Sequence, residues 1–262
     1  MTPDPNPDTT PPRDDPPPVL YHYTTWKGLI GILTSKEIWA SHHAALNDRE
    51  ETTYARNLLR EYARGLGGTP GLQILKRIKG KASKHVMVAS FSEENDLLSQ
   101  WRAYGDRGCG VSVGFRSEEL RRLRAKADKE SISSPDLRRV VYAPGEQIAL
   151  LRQTLPKLTE FADLALRLKN PHFYEEREWR LVVTTRDASH FEVRESQFGL
   201  VAYLKLRIPG LSELIESITM GPGCHDHHHE LTPGIKTLLA KHARKAPSPR
   251  RFFSQAPLKG GV

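Results

Sequence analysis

The sequence predicts an α+β fold, a single domain with a split, mainly antiparallel sheet and flanking helices, on three observations. Short segments rich in Val, Ile, Phe and Tyr come in runs without regular helix alternation, which disfavours a doubly wound parallel sheet. Several of them alternate apolar with small or polar residues, the period of a half-buried strand. Between them lie segments whose apolar residues recur at three- and four-residue spacing, the period of a helix packed against a core. The 262 residues, 38% hydrophobic and 27% charged, are enough for one sizeable core.

Residues 1–18 hold eight prolines among Asp, Asn and Thr, a composition that cannot pack a core and reads as a disordered tail. Residues 245–262, with Pro247, Pro249, Pro257 and closing glycines, read as a flexible basic tail, although Phe252 and Phe253 are apolar enough to dock. The folded unit is therefore 19–244. It opens on a strand at Tyr21-His22-Tyr23-Thr24, after which Thr24 or Thr25 caps a short helix with Trp26, Leu29, Ile30 and Leu33 on one face. Ile38 to Ser41 reads as a strand and Arg49 to Arg64 as a longer helix. Val86 to Phe91 is apolar enough for a core strand, and Val111, Val113 and Phe115 alternate with Ser112 and Gly114. Further strands are expected over Arg139–Tyr142, Glu178–Thr184, Val201–Ile208 and Leu214–Met220. Helices are expected over 117–127, 146–168 and 231–243, the second kinked or ended by Pro156. Trp26 and Trp39 are assigned to the core.

The N-terminus has neither a basic start nor an apolar stretch, and nowhere do enough apolar residues run together to span a bilayer, so a cytoplasmic protein without membrane contact is expected. Cys109 and Cys224 form no Cys-x-x-Cys pair and no disulfide framework, which fits a reducing compartment. A net charge of +8 suits a negatively charged partner, although charge runs such as Arg121 to Lys126 are commonly solvated. There is no Gly-x-Gly-x-x-Gly after a strand, no phosphate loop, no His-Glu-x-x-His and no Gly-x-Ser-x-Gly, which disfavours dehydrogenases, P-loop enzymes and α/β-hydrolases. Cys224 to Glu230 has metal-ligating atoms, but consecutive residues cannot converge on one ion. It reads as a loop and helix cap, and no metal is expected.

Three polar segments crowd hydrogen-bonding and aromatic side chains at strand ends. The first runs from Tyr21-His22-Tyr23-Thr24 to Leu46-Asn47-Asp48. The second is Ser90-Phe91-Ser92 with Ser99-Gln100-Trp101-Arg102-Ala103-Tyr104-Gly105. The third is Glu176-Arg177-Glu178-Trp179-Arg180. In this order they resemble the bacterial family catalogued as domain of unknown function 2971 (DUF2971), with its Tyr-His-Tyr-Thr, Leu-Asn-Asp, Phe-Ser with Ser-Gln-Trp-Arg-x-Tyr-Gly, and Glu-x-Glu-x-Arg. That family name carries no activity.

The opening is also similar to that of ADP-ribosyltransferases of the His-Tyr-Glu type: a strand ending in His, a small polar turn, a Leu-x-x-Ile-Leu helix and a strand ending in Ala-Ser. This resemblance implies NAD as substrate, with His22 on a ribose hydroxyl and Glu178 on the nicotinamide-ribose 2′-hydroxyl. Glu176 would be the first acid of a Glu-x-Glu pair. It further implies a cofactor-binding shell of His22, Tyr23, Thr24, Asn47, Asp48, Ser90, Phe91, Ser92, Trp101, Arg102, Tyr104 and Arg180. The superfamily's Tyr or Ser-Thr-Ser is here Ser90-Phe91-Ser92, so the stacking aromatic is Phe91, Trp101 or Tyr104.

Chemistry independent of the family supports a carboxylate there, since breaking a glycosidic carbon–nitrogen bond develops positive charge on the ribose. If the segment is a strand, Glu176, Glu178 and Arg180 share a face, where Arg180 can pair with a carboxylate or a pyrophosphate. Arg102 either faces phosphates or pairs with Asp96 or Asp106. The plain structural alternatives are a core-bonded His22, a surface ladder of Glu176 and Glu178 with Arg177 and Arg180, an Asx turn at Asn47-Asp48, and core packing of Trp101 and Tyr104. The expected function is transfer of ADP-ribose to a protein or nucleic acid, as in a toxin or antiphage defence effector. The alternatives are a non-catalytic nucleotide- or nucleic-acid-sensing module and, least favoured, a nuclease.

Overall fold

The computed structural model describes residues 15–45, 49–79, 84–125, 131–155, 161–196, 199–242 and 250–256. In chain order the elements are β1 (Val19–Thr24), α1 (Trp26–Ser35), β2 (Glu37–His42), α2 (Arg49–Leu66), α3 (Gly68–Lys79), β3 (His85–Ser92), α4 (Leu98–Ala103) and β4 (Val111–Arg116). They continue with α5 (Ser117–Arg121), β5 (Arg124–Ala125), β6 (Asp136–Arg139), α6 (Pro144–Thr154), α7 (Phe161–Ala165), β7 (Glu178–Thr185), β8 (Glu192–Ser196) and β9 (Gly199–Arg207). The last are α8 (Leu211–Leu214), β10 (Ile215–Met220), α9 (His228–His242) and β11 (Arg250–Phe253).

The strands form one sheet, in which every strand pairing is antiparallel except β10 with β11. The α+β class and the mainly antiparallel sheet are as the sequence predicts. Alternation along the strands sorts their side chains onto two faces. Leu20, Ala40, Met87, Phe91, Val113, Trp179, Leu181 and Leu204 line the first, against Leu29 and Leu33 of α1, Leu120 of α5, Leu214 of α8 and Ile235 of α9. On the second face Val86, Val88 and Val182 meet Ala162 and Leu166. Beyond them α2, α3, α6 and α7 share a separate core built on Leu59, Ile74, Leu151 and Leu164.

Local chemistry sets the ends of α1. The Thr25 hydroxyl accepts from the Gly28 amide at 3.1 Å, and Lys36 takes a left-handed φ of 56° while its N–H closes on the Ile32 carbonyl at 3.0 Å.

Several expectations need correction. The helix over 117–127 stops at Arg121, because Leu123 turns into the core and Arg124–Ala125 pairs with Arg207–Leu206 of β9. The strand expected over 139–142 lies at 136–139, and Val140 to Tyr142 is buried beside it. The helix over 146–168 is two helices, ending at Thr154 and resuming at Phe161, with Pro156 outside the described residues. Trp39 is not a core residue: it is 43% exposed and stacks on Tyr203 at 4.4 Å.

Part of the C-terminal segment read as a tail belongs to the sheet. Arg250–Phe253 runs parallel to Ser217–Met220, and Asp96 fastens the residues just beyond this strand by accepting from the Ser254 hydroxyl and the Gln255 amide. At the other end, the carbonyls of Pro17 and Pro18 accept from Ser117.

Candidate functional site

The sheet divides at β3. Along one edge β3 pairs with β7 over its whole length, from His85↔Thr185 to Ser92↔Glu178. Its other edge is shared: β2 takes Met87 and Val88, while β1 meets only Ser92. Ala89 to Phe91 thus lie in a fork between two strands that α1 connects. His22 spans the fork, its Nδ1 3.0 Å from the Ser90 carbonyl. A carbonyl only accepts, so Nδ1 carries the proton and Nε2 is left as a lone-pair acceptor. Nε2 makes no hydrogen bond among the described residues. Burial pushes the His22 pKa below its ordinary value, the Ser90 carbonyl opposes this and the Arg194 charge adds to it. The ring is therefore neutral.

On the far side of Ser90 stands Glu178, the first residue of β7, only 6% exposed. Its carboxylate accepts from Arg180 Nε at 2.7 Å, from Arg180 Nη2 at 2.8 Å and from Lys169 Nζ at 3.2 Å. Burial pushes its pKa up, but the Arg180 and Lys169 cations and hydrogen bonds from Arg180 and Ser90 outweigh that and hold it at about 2. With Ser90 the donors match the roughly four lone-pair positions of a carboxylate. Lys169 also reaches Glu176 at 2.6 Å and lies 5.3 Å from the centre of the Phe173 ring. The Glu178 amide donates to the Tyr142 hydroxyl at 3.0 Å. Burial and then the Glu178 charge raise the Tyr142 pKa, so the phenol stays protonated.

Glu176 and Glu178 do converge, but not as neighbours on one strand. Glu176 ends a 3-10 turn, Pro171–Glu176, and Arg177 follows with a left-handed φ of 41°. Lys169 joins the two acids. Arg180 pairs with Glu178, and Arg177 reaches Glu94 at 2.8 Å, so the surface ladder does not form.

Strand alternation places His22 with Phe91 on the first face and Glu178 with Ser90 on the second. Ser90 nevertheless bears on both: its carbonyl accepts from His22, and its hydroxyl helps to hold the Glu178 pKa down. The other sequence-predicted residues scatter. Tyr23 is buried, donates to the Glu94 carbonyl at 2.8 Å and stands edge-on to Trp101 at 4.8 Å. Thr24 packs against Gly28. Phe91 is a core residue touching His22 and Phe115. Ser92 donates to the Glu176 carbonyl at 2.8 Å, which fixes the turn before Glu178.

Trp101 is fully buried and donates to Asp96 at 2.7 Å. Tyr104 is 40% exposed at the end of α4. Arg102 is exposed and, among the described residues, pairs with neither Asp96 nor Asp106. Asn47 and Asp48 lie outside the described residues, as do the side chains of His225 to Glu230, whose backbone is helical. Among the described residues no group of three His, Cys, Asp or Glu side chains could hold a metal ion, and no helix is long and apolar enough to cross a membrane.

Sequence reasoning missed Lys169, Tyr142 and Arg194. None sits in a recognisable motif, and Tyr142 and Arg194 are brought in by partners distant along the chain. Only the unusual burial of Lys169, 3% exposed, marks it, and burial is not written in the sequence. No curated protein and no solved structure matches the chain. Over residues 100–181, which take in Trp101 to Tyr104 and Glu176 to Arg180, the chain matches the family described as protein of unknown function (DUF2971), and the family resemblance of the sequence stands.

Proposed function

We propose that this chain is an NAD-dependent ADP-ribosyltransferase-like enzyme that cleaves the nicotinamide–ribose bond and passes ADP-ribose to a protein or nucleic-acid acceptor. A toxin or antiphage defence effector is the setting that suits such a reaction. One observation carries the reading: in the fork of a split sheet, Ser90 accepts from His22 through its carbonyl and is registered with Arg180, the partner of Glu178.

The residues suit the chemistry in three ways. A neutral His22 with its Nε2 lone pair open can accept from a sugar hydroxyl. Glu178, held ionised by two cations, is a fixed anion near which positive charge on a ribose would be stabilised without reorganisation. With its pKa at about 2 it is too weak a base to take a proton near neutrality. Deprotonation of an acceptor therefore falls to Glu176, whose side chain is the more exposed of the two, 13% against 8%.

The filled acceptor positions of Glu178 favour a second reading, a non-catalytic module that senses a nucleotide at the same fork. The test incubates the full chain with NAD, alone and with protein or nucleic acid, and follows nicotinamide release, label transfer and melting temperature. His22→Ala and Glu178→Gln run alongside. Transferase chemistry predicts nicotinamide release that falls about 10²–10³-fold in Glu178→Gln. A raised melting temperature with no release supports the sensing module. Neither effect would overturn both.

A further inference from the structure

We infer that Arg194 of β8 is the cation that receives the diphosphate of a nucleotide bound at the fork, an assignment that rests on the proposed site. The buried cations around Glu178 are already engaged. Arg180 is bound bidentate to Glu178 and also donates to the Leu166 carbonyl at 3.1 Å, while Lys169 is divided between Glu176 and Glu178. Arg102 is carried on α4, not on a strand of the sheet.

Arg194 differs in each respect. Its Nη2 donates to the Ser41 hydroxyl at 3.1 Å, and Ser41 belongs to β2, the strand that forms one arm of the fork. Ser41 is registered with Val88, which shares the second face with Ser90 two residues on. The guanidinium therefore stands on the same face as Ser90 and Glu178, and its charge is felt at His22.

No carboxylate neutralises it among the described residues. Glu192, two residues before it on the same face of β8, is taken by the Tyr203 hydroxyl at 2.9 Å and by Lys205 at 2.6 Å. Arg194 is exposed, and its bond to Ser41 uses one of the five N–H donors a guanidinium presents. The planar fork of donors that remains matches two oxygens of a phosphate. An exposed, unneutralised arginine held by a neutral serine at the arm of a split sheet is suited to an anion and to little else nearby.

The test measures binding of inorganic pyrophosphate and of ADP-ribose to the full chain by calorimetry, with the melting temperature as a second readout. Arg194→Ala should weaken ADP-ribose about 10–100-fold, the loss of a charge-assisted bidentate contact, and abolish measurable pyrophosphate binding. Arg194→Lys should restore only part of the affinity, because a point charge replaces a fork. The melting temperature without ligand should not change, since Arg194 is exposed. ADP-ribose binding within twofold of wild type in Arg194→Ala would overturn the assignment, even if the wild type cleaves NAD. Arg194-dependent binding without nicotinamide release would keep the assignment and discard the transferase reading. No binding of either probe to the wild type would discard both.

Discussion

Replacing Glu178 by Gln removes one charge from a buried cluster and leaves its shape nearly intact. Arg180 and Lys169, 2% and 3% exposed, then lose the carboxylate that accepts from both, while Lys169 keeps Glu176 at 2.6 Å. Removing one partner of a buried ion pair costs about 3–5 kcal/mol. The pKa gives an independent figure: a carboxyl lowered from 4.5 to about 2 contributes about 3 kcal/mol at neutral pH. For a chain of this size the melting temperature should fall by roughly 6–20 °C.

The pH dependence has a defined sign. Because the folded pKa is depressed, the Glu178 contribution is complete above its unfolded value near 4.5 and is lost as pH falls toward 2. The gap between wild type and Glu178→Gln, measured by urea unfolding with circular dichroism, should be full at pH 7 and about half as large by pH 3. The double variant Lys169→Met with Glu178→Gln should recover part of the loss, since it removes one buried cation from a cluster that has lost a carboxylate. A gap under about 1 kcal/mol at pH 7, the range of an exposed ion pair, would refute the buried cluster. A gap unchanged at pH 3 would refute the carboxylate as its cause.

Three further outcomes are expected. His42 is pushed down to about 4 by burial and then by His43 and His85, so stability should be lost as pH falls from about 6.5. His42→Gln should flatten that melting curve between pH 6.5 and 4. Gly110→Ala should cost about 1–3 kcal/mol in urea unfolding, because its Cβ would lie 2.3 Å from the Thr24 carbonyl oxygen and 2.9 Å from that of Gly105. Asp96→Ala should speed amide hydrogen exchange over Ser254 to Ala256, since it removes the acceptor for Ser254, Gln255 and Trp101.

Much of the sheet was legible because β2, β3, β4, β7, β9 and β10 carry their burial as apolar runs or alternation. The first helix was legible through Thr25 and the Leu29–Leu33 spacing. The elements that escaped have other causes. Strand β8 is almost wholly exposed and reads as charged loop, and α3 opens on Gly and Pro. Strand β11 follows Pro247 and Pro249 and exists through its pairing with β10. At the site, His22, Glu176, Glu178 and Arg180 stood out because their motifs are crowded with polar atoms. Their partners did not, because Lys169 and Arg194 have no local pattern: Lys169 owes its role to its burial before β7, and Arg194 to the strand β8 that carries it. Trp101 and Phe91 looked alike from sequence as candidate stacking rings, and burial assigns both to packing.

Strand β3, shared by three others, also bears on how the molecule reaches its final form. Among the described residues β8 and β9 are paired close along the chain, whereas β1 meets β4, β4 meets β10 and β3 meets β7 over long stretches of chain. Contacts so far apart in sequence pay their loop-closure entropy before they return any energy, so the folding rate should be slow for the size. The stretch 100–181 contains Lys169, Glu176, Glu178 and Arg180 but not His22, Ser90 or Arg194. Excised alone, it would carry the cations and carboxylates with neither arm of the fork to hold them against.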